Sequence, residues 1–211
     1  MKLSEAAFVS SASVAAELAG VSGVARDMSL SVKNAKAIAN RAGSKARGFS
    51  PITDFIDEMS VETMKLVSRI NENSIKLSGI AINELRIQET VNSFEKVLKD
   101  ASDAKYIDSL KQSMANVKKM QDAEQANLHK FSRALKDLMG DIAQYMAVAN
   151  VIVSNSRIEA VNAEEYRANL ESIANDIEAS CDTIRERVKK SQHRLENAMQ
   201  QWKREFYHES S

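Results

Sequence analysis

A chain of 211 residues, 44% hydrophobic and 27% charged, can bury one core of ordinary size or one elongated bundle. Lys+Arg and Asp+Glu number 29 each, so no global field draws it to nucleic acid or to an anionic membrane. Aromatics at 5%, six glycines and one proline leave a helical vocabulary and argue against a sheet-rich fold. The lone Cys181 excludes an intrachain disulfide and suits a reduced, cytoplasmic compartment.

The opening MKLSEAAFVSSASVAAELAG has a leader-like look, but Glu5 and Glu17 interrupt its apolar run, and it is read as helix. No run of about 18 apolar residues offers a membrane span. A first seam, with alternating steps of three and four, passes Val21, Val24, Met28, Ser31, Ala35, Ile38 and Ala42. Gly43 to Pro51 break it: glycine admits positive φ, and proline fits the opening turn of the next helix. The second seam runs from Ile52 to Leu98, interrupted by Thr63, Asn73 and Glu84. A second break is expected at Lys99–Asp103, where Ser102 or Asp103 can cap a new helix. The third seam runs from Ile107 to Ile152 and includes the polar Gln121 and Glu124, and the fourth runs from Leu170 to Trp202.

A sustained 3.5-residue repeat predicts left-handed supercoiled helices. Extra apolar neighbours, among them Phe55, Val67, Leu85, Val97, Met139 and Ile173, widen the stripe toward a four-helix bundle. Between Asn162 and Asn169 no Gly or Pro ends the helix, so local chemistry alone allows it to continue. Internal similarity favours a turn there. With Asn34 laid on Asn155, an offset of 121, Ala39 meets Ala160, Ala42 meets Ala163, Phe49 meets Leu170, Ile52 meets Ile173 and Ile56 meets Ile177. The expected fold is all-α: an elongated antiparallel four-helix bundle or coiled coil, a single helical rod over 1–211. It is made of two tandem hairpins, about 5–100 and about 103–208, with both repeat turns at one end.

The stretch NAKAIANRAGSKARGFSPITDFIDEM resembles the cytoplasmic hairpin tip of methyl-accepting chemotaxis receptors, and NSRIEAVNAEEYRANLESIANDIEAS resembles it again. Each match covers about 25 residues, and RAGSKARGF is its most specific part. The resemblance implies long antiparallel hairpins that pair as a four-helix bundle, gather at their tips as trimers of dimers, and bind the CheW adaptor and CheA histidine kinase along their flanks. Two hairpins in one chain could then imitate a receptor dimer. On this reading the partner-binding tip comprises Asn34, Ile38, Arg41, Gly43, Arg47 and Phe49 in the first copy and Asn155, Ile158, Glu159 and Asn162 in the second. Ile38 stands where the family has Glu, and Asn162 and Glu164 stand where it has Arg and Gly. Each half therefore keeps one member of the family's Glu/Arg pair.

Chemistry-bearing patterns are weak. His129, His193 and His208 lack the i, i+4 spacing of a metal site, no nucleophile elbow or P-loop ending occurs, and the basic RERVKKSQHR is interleaved with Glu186. No enzyme, cofactor or metal is expected, and no nucleic-acid partner. The leading expectation is a soluble chemoreceptor-like signalling or scaffold protein, with CheW-type adaptors, CheA-type kinases or chemoreceptors as partners and self-association through the tips left open. The alternative is a structural or regulatory bundle without kinase coupling. A membrane-active helical rod is a third class, against which the polar outer faces argue.

Overall fold

The computed structural model describes residues 3–100 and 107–209, with side chains described over 12–100 and 107–201 and at Arg204. The expected cap at Ser102 or Asp103 lies outside these residues. The described residues form an all-α helical bundle of four long helices and no strand: α1 (Leu3–Ala42), α2 (Phe49–Asp100), α3 (Ile107–Val161) and α4 (Arg167–Glu209). A 3-10 turn, Gly43–Ala46, follows α1, and another, Glu164–Tyr166, precedes α4. The break left open by local chemistry is thus a turn. None of the described helices is long and apolar enough to cross a membrane.

The helices contribute to two compact units, each drawing on all four. The unit of Val14–Asn71 and Lys136–His193 carries both repeat turns. Its core repeats itself at the offset read from the sequence. Leu18 and Met139, Val21 and Ile142, Val32 and Val153, Ile56 and Ile177, and Val67 and Val188 are all buried, as equivalent members of two hairpins. Other equivalent pairs exchange size. Ala25 and Thr63 of the first hairpin correspond to Met146 and Ile184 of the second, and all four are buried. Met28 corresponds to Ala149, and Ser60 to Cys181. The sulfurs of Met28 and Cys181 lie 3.7 Å apart, so α1 and α4 meet at this level. Burial pushes the Cys181 thiol up to about 12, which leaves it protonated and unreactive at neutral pH.

Not every apolar neighbour of a seam points inward. Phe55 (40% exposed) and Val97 (47% exposed) face solvent, whereas Val67 and Met139 are buried. In the α2 repeat the buried positions are Thr53, Ile56, Met59, Ser60 and Thr63, which places Phe55 on the outer flank. Ser60 and Thr63 satisfy their hydroxyls by donating to the carbonyls of Ile56 and Met59 one turn earlier, at 2.8 Å each.

In the unit of Met1–Ser13, Glu72–Leu135 and Arg194–Ser211, two polar seam positions come together. The Gln121 amide donates to Glu84 Oε1 at 3.4 Å and to Gln88 Oε1 at 2.6 Å. Glu84 and Gln121 are both buried, and Glu84 Oε2 has no donor among the described residues. Burial raises the Glu84 pKa above its ordinary 4.5, against hydrogen bonds from Gln121 and Gln125, and the neighbouring Glu124 and Asp122 push it the same way as burial.

Two predictions follow from this packing. Met146→Ala should cost about 2–5 kcal/mol in urea unfolding, and adding Ala25→Met should recover at least half of the loss by refilling the layer from the other hairpin. Because the folded state holds the Glu84 proton more tightly than the unfolded chain does, the Glu84 contribution to stability falls as pH rises above 4.5. Glu84→Gln should therefore be more stable than the parent at pH 8, with a gap that narrows as unfolding is repeated toward pH 5.

Candidate interaction site at the hairpin turns

The two turns share one backbone solution. α1 closes on Gly43 with φ +60°, the left-handed conformation in which helices commonly end. Its repeat equivalent is Glu164, with φ +47°. Here a side-chain-bearing residue sits where glycine is preferred, at a cost of about 1 kcal/mol. Successive backbone bonds tighten the second turn: Asn162 N–H to Glu159 O at 3.1 Å, Ala163 N–H to Ala160 O at 3.0 Å, and Tyr166 N–H to Ala163 O at 3.0 Å. Pro51 lies in the first turn of α2, where its missing N–H costs nothing.

Under the turns lies a small core of Ala35, Ala39, Ala42, Ala46, Ala160 and Ala163 closed by Phe49 and Leu170, with Ile38, Tyr166 and Ile173 packed against it. Alanines let the helices approach, and the two large equivalents, Phe49 and Leu170, fill the space between them. Phe49 is only 3% exposed. It is a packing residue, which corrects its expected place in a partner-binding surface.

Three kinds of contact bind the hairpins and turns. Lys45 and Glu164 form an ion pair between the two turns, so both lie at one end of this unit. This hydrogen bond raises the Lys45 pKa, but the pair is exposed and salt screens it. Within the hairpins, Lys36 pairs with Asp54, and its repeat equivalent Arg157 pairs with Glu178 and donates to Asn175 at 2.9 Å. At the third contact the Glu159 carboxyl lies directly on Gly48, where any Cβ would collide with it. The two tip glycines thus have different purposes: Gly43 supplies positive φ, and Gly48 makes room for a carboxylate from α3.

The remaining expected residues lie on the surface around this core. Asn34, Arg41, Gly43, Arg47, Asn155, Ile158 and Asn162 are exposed, and Ile38 and Glu159 are half-buried. A groove of about 430 Å³ runs between α1 and α4, lined by Asn34, Ala37, Ile38, Arg41, Asn169, Ser172 and Ile173. It brings Asn34, Ile38 and Arg41 together, whereas Asn155, Ile158 and Asn162 belong to the outer face of α3.

That face is unusual for a chain so rich in charge. Val148, Val151, Ile158 and Val161 are exposed, Val151 at 63% and Ile158 at 68%. Between Asp141 and Glu164 no fully exposed residue of α3 is charged. The equivalent α1 stretch exposes Arg26, Asp27, Lys33 and Arg41. Sequence reasoning missed Val148, Val151 and Val161; the signal for the first two was the lack of charge over residues 142–156, about four turns. It also missed Asn169 and Ile173 as groove residues; their equivalents Gly48 and Ile52 could have pointed to them. Nothing among protein-family models, curated proteins or solved structures matches the chain.

Glu164→Gly should raise stability by about 1 kcal/mol in thermal unfolding, because glycine adopts this φ without strain, and Gly43→Ala should lower it by a similar amount. Glu164→Gln, which keeps the strain and removes the charge, should change the melting temperature little at 0.15 M salt.

Proposed function

We propose that the chain is a receptor-like signalling or scaffold protein of the chemotaxis type, acting in the cytoplasm, whose hairpin turns and adjoining helix flanks dock an adaptor or histidine kinase domain. One observation carries this reading: the uncharged, apolar outer face of α3 beside the turns. The equivalent α1 face of the same chain folds against the same core while carrying Arg26, Asp27, Lys33 and Arg41. The fold therefore does not require an apolar face at this position, and exposing one without a partner risks aggregation.

The face suits helix or loop docking. Val148, Val151, Asn155, Ile158 and Asn162 are spaced by three and four, so they form one line on the helix, apolar at three positions and hydrogen-bonding at two. Asn155 and Asn162 would fix register where valines alone would slide. The resemblance of both turn sequences to chemoreceptor tips supplies the class of partner, a CheW-type adaptor or CheA-type kinase.

Val151→Asp and Ile158→Asp should each weaken binding of a purified CheW-type adaptor at least tenfold, measured by calorimetry, with no loss of helicity. Ile75→Asp, an equally exposed apolar position on α2 away from the turns, should leave binding unchanged. Adaptor binding indifferent to both α3 substitutions, or no binding by the parent protein, would refute the assignment.

A further inference from the structure

The duplication provides a comparison within one molecule. Groove residues Ile38, Arg41 and Asn169 correspond to Glu159, Asn162 and Gly48 in the second copy. There the Glu159 side chain crosses from α3 and rests its carboxyl on Gly48 at the start of α2. In the first copy that side chain is Ile38, the receiving glycine is Asn169, and a groove of about 430 Å³ stands open. The open copy also carries a cation where the other has Asn162: Arg41 is exposed and forms no ion pair among the described residues. One copy thus supplies its own glutamate, and the other has the space and the positive charge for a glutamate from elsewhere.

We propose that the α1/α4 groove receives a glutamate side chain presented by an acidic amphipathic helix of another protein. Its methylenes pack on Ile38 and Ile173, and its carboxylate faces Arg41 and the amides of Asn34 and Asn169. An Arg-to-carboxylate contact is charge-assisted and can be bidentate, which gives the groove a preference for Glu over its neutral isostere Gln. A purely apolar helix would leave the Asn34 and Asn169 amides without acceptors, and a basic one would meet Arg41 with like charge. The inference rests on the turns being a docking surface and names the chemistry of one partner segment.

The test uses the full chain and a labelled amphipathic peptide of about five helical turns made of Glu, Leu and Ala, with a second peptide in which Gln replaces Glu. Fluorescence anisotropy should show the Glu peptide binding about tenfold more tightly, with shifts in the Asn34 and Asn169 side-chain amide signals. Arg41→Gln, at an exposed position, should erase the preference, as should raising the salt. Ile38→Glu combined with Asn169→Gly rebuilds the self-filled copy and should abolish binding of both peptides. Equal affinity for the two peptides, or a preference that survives Arg41→Gln, would overturn the proposal. If the adaptor then still binds in an Ile158-dependent way, the docking surface stands without a glutamate groove; if adaptor binding is absent too, both readings fall.

Discussion

Filling each core layer once, with side chains from two unlike hairpins, is the constraint on which the rest of the turn-bearing unit depends. Ala25 and Thr63 leave a layer half empty on the side of the first hairpin, and Met146 and Ile184 of the second are large enough to complete it. Were the first hairpin to pair with a copy of itself, that layer would hold two alanines and two threonines, and interiors do not tolerate such voids cheaply. The second hairpin paired with itself would crowd two methionines and two isoleucines into the same space. Size exchange between equivalent positions therefore makes the unlike pairing the well-packed one.

The same constraint separates what duplication preserves from what it releases. Most inward positions retain burial even where residue type changes, as Ala25/Met146 and Thr63/Ile184 do, although buried Ala46, Met59 and Leu66 correspond to Arg167, Ser180 and Arg187, which are not buried. Outward positions answer only to solvent and partners. There the copies differ: α1 exposes Arg26, Asp27, Lys33 and Arg41 where α3 has Ala147, Val148, Ser154 and Asn162, and the groove lined by Ile38 and Asn169 corresponds to the place where Glu159 lies over Gly48. Size exchange in the core is accounted for by packing between unlike hairpins, whereas divergence at the surface of a repeated core is difficult to attribute to folding.

Most of the core was legible in the sequence because hydrophobic phase is a property of each helix alone; the first turn was marked by Gly43 and Pro51, and the second only by its equivalence to the first. The outward placement of Phe55 and Val97 was not. A residue on the edge of an apolar stripe turns inward or outward according to where the neighbouring helix lies, and periodicity contains no such information. The site was legible in part. The sequence marked the break from Gly43 to Pro51, but the purpose of Gly48 within it depends on Glu159, more than a hundred residues away in the chain. Phe49 entered the tip through the resemblance alone, and its burial depends on Leu170 and on alanines of α1, α3 and the two turns that lie around it.

Glu164 shows how strongly the helices dictate the turns. Local chemistry would have put glycine, or at least asparagine, at a left-handed position, and the first copy does so with Gly43. The second copy retains the backbone conformation with glutamate. The strain persists because Ala160 and Ala163 on one side of the turn and Leu170 on the other are held in one buried cluster, which fixes both ends of the turn. What the glutamate adds in return is the ion pair with Lys45, a contact between the two turns that glycine could not make. The turn geometry is thus set by packing below it, which frees the turn residues themselves to be chosen for what they present at the surface.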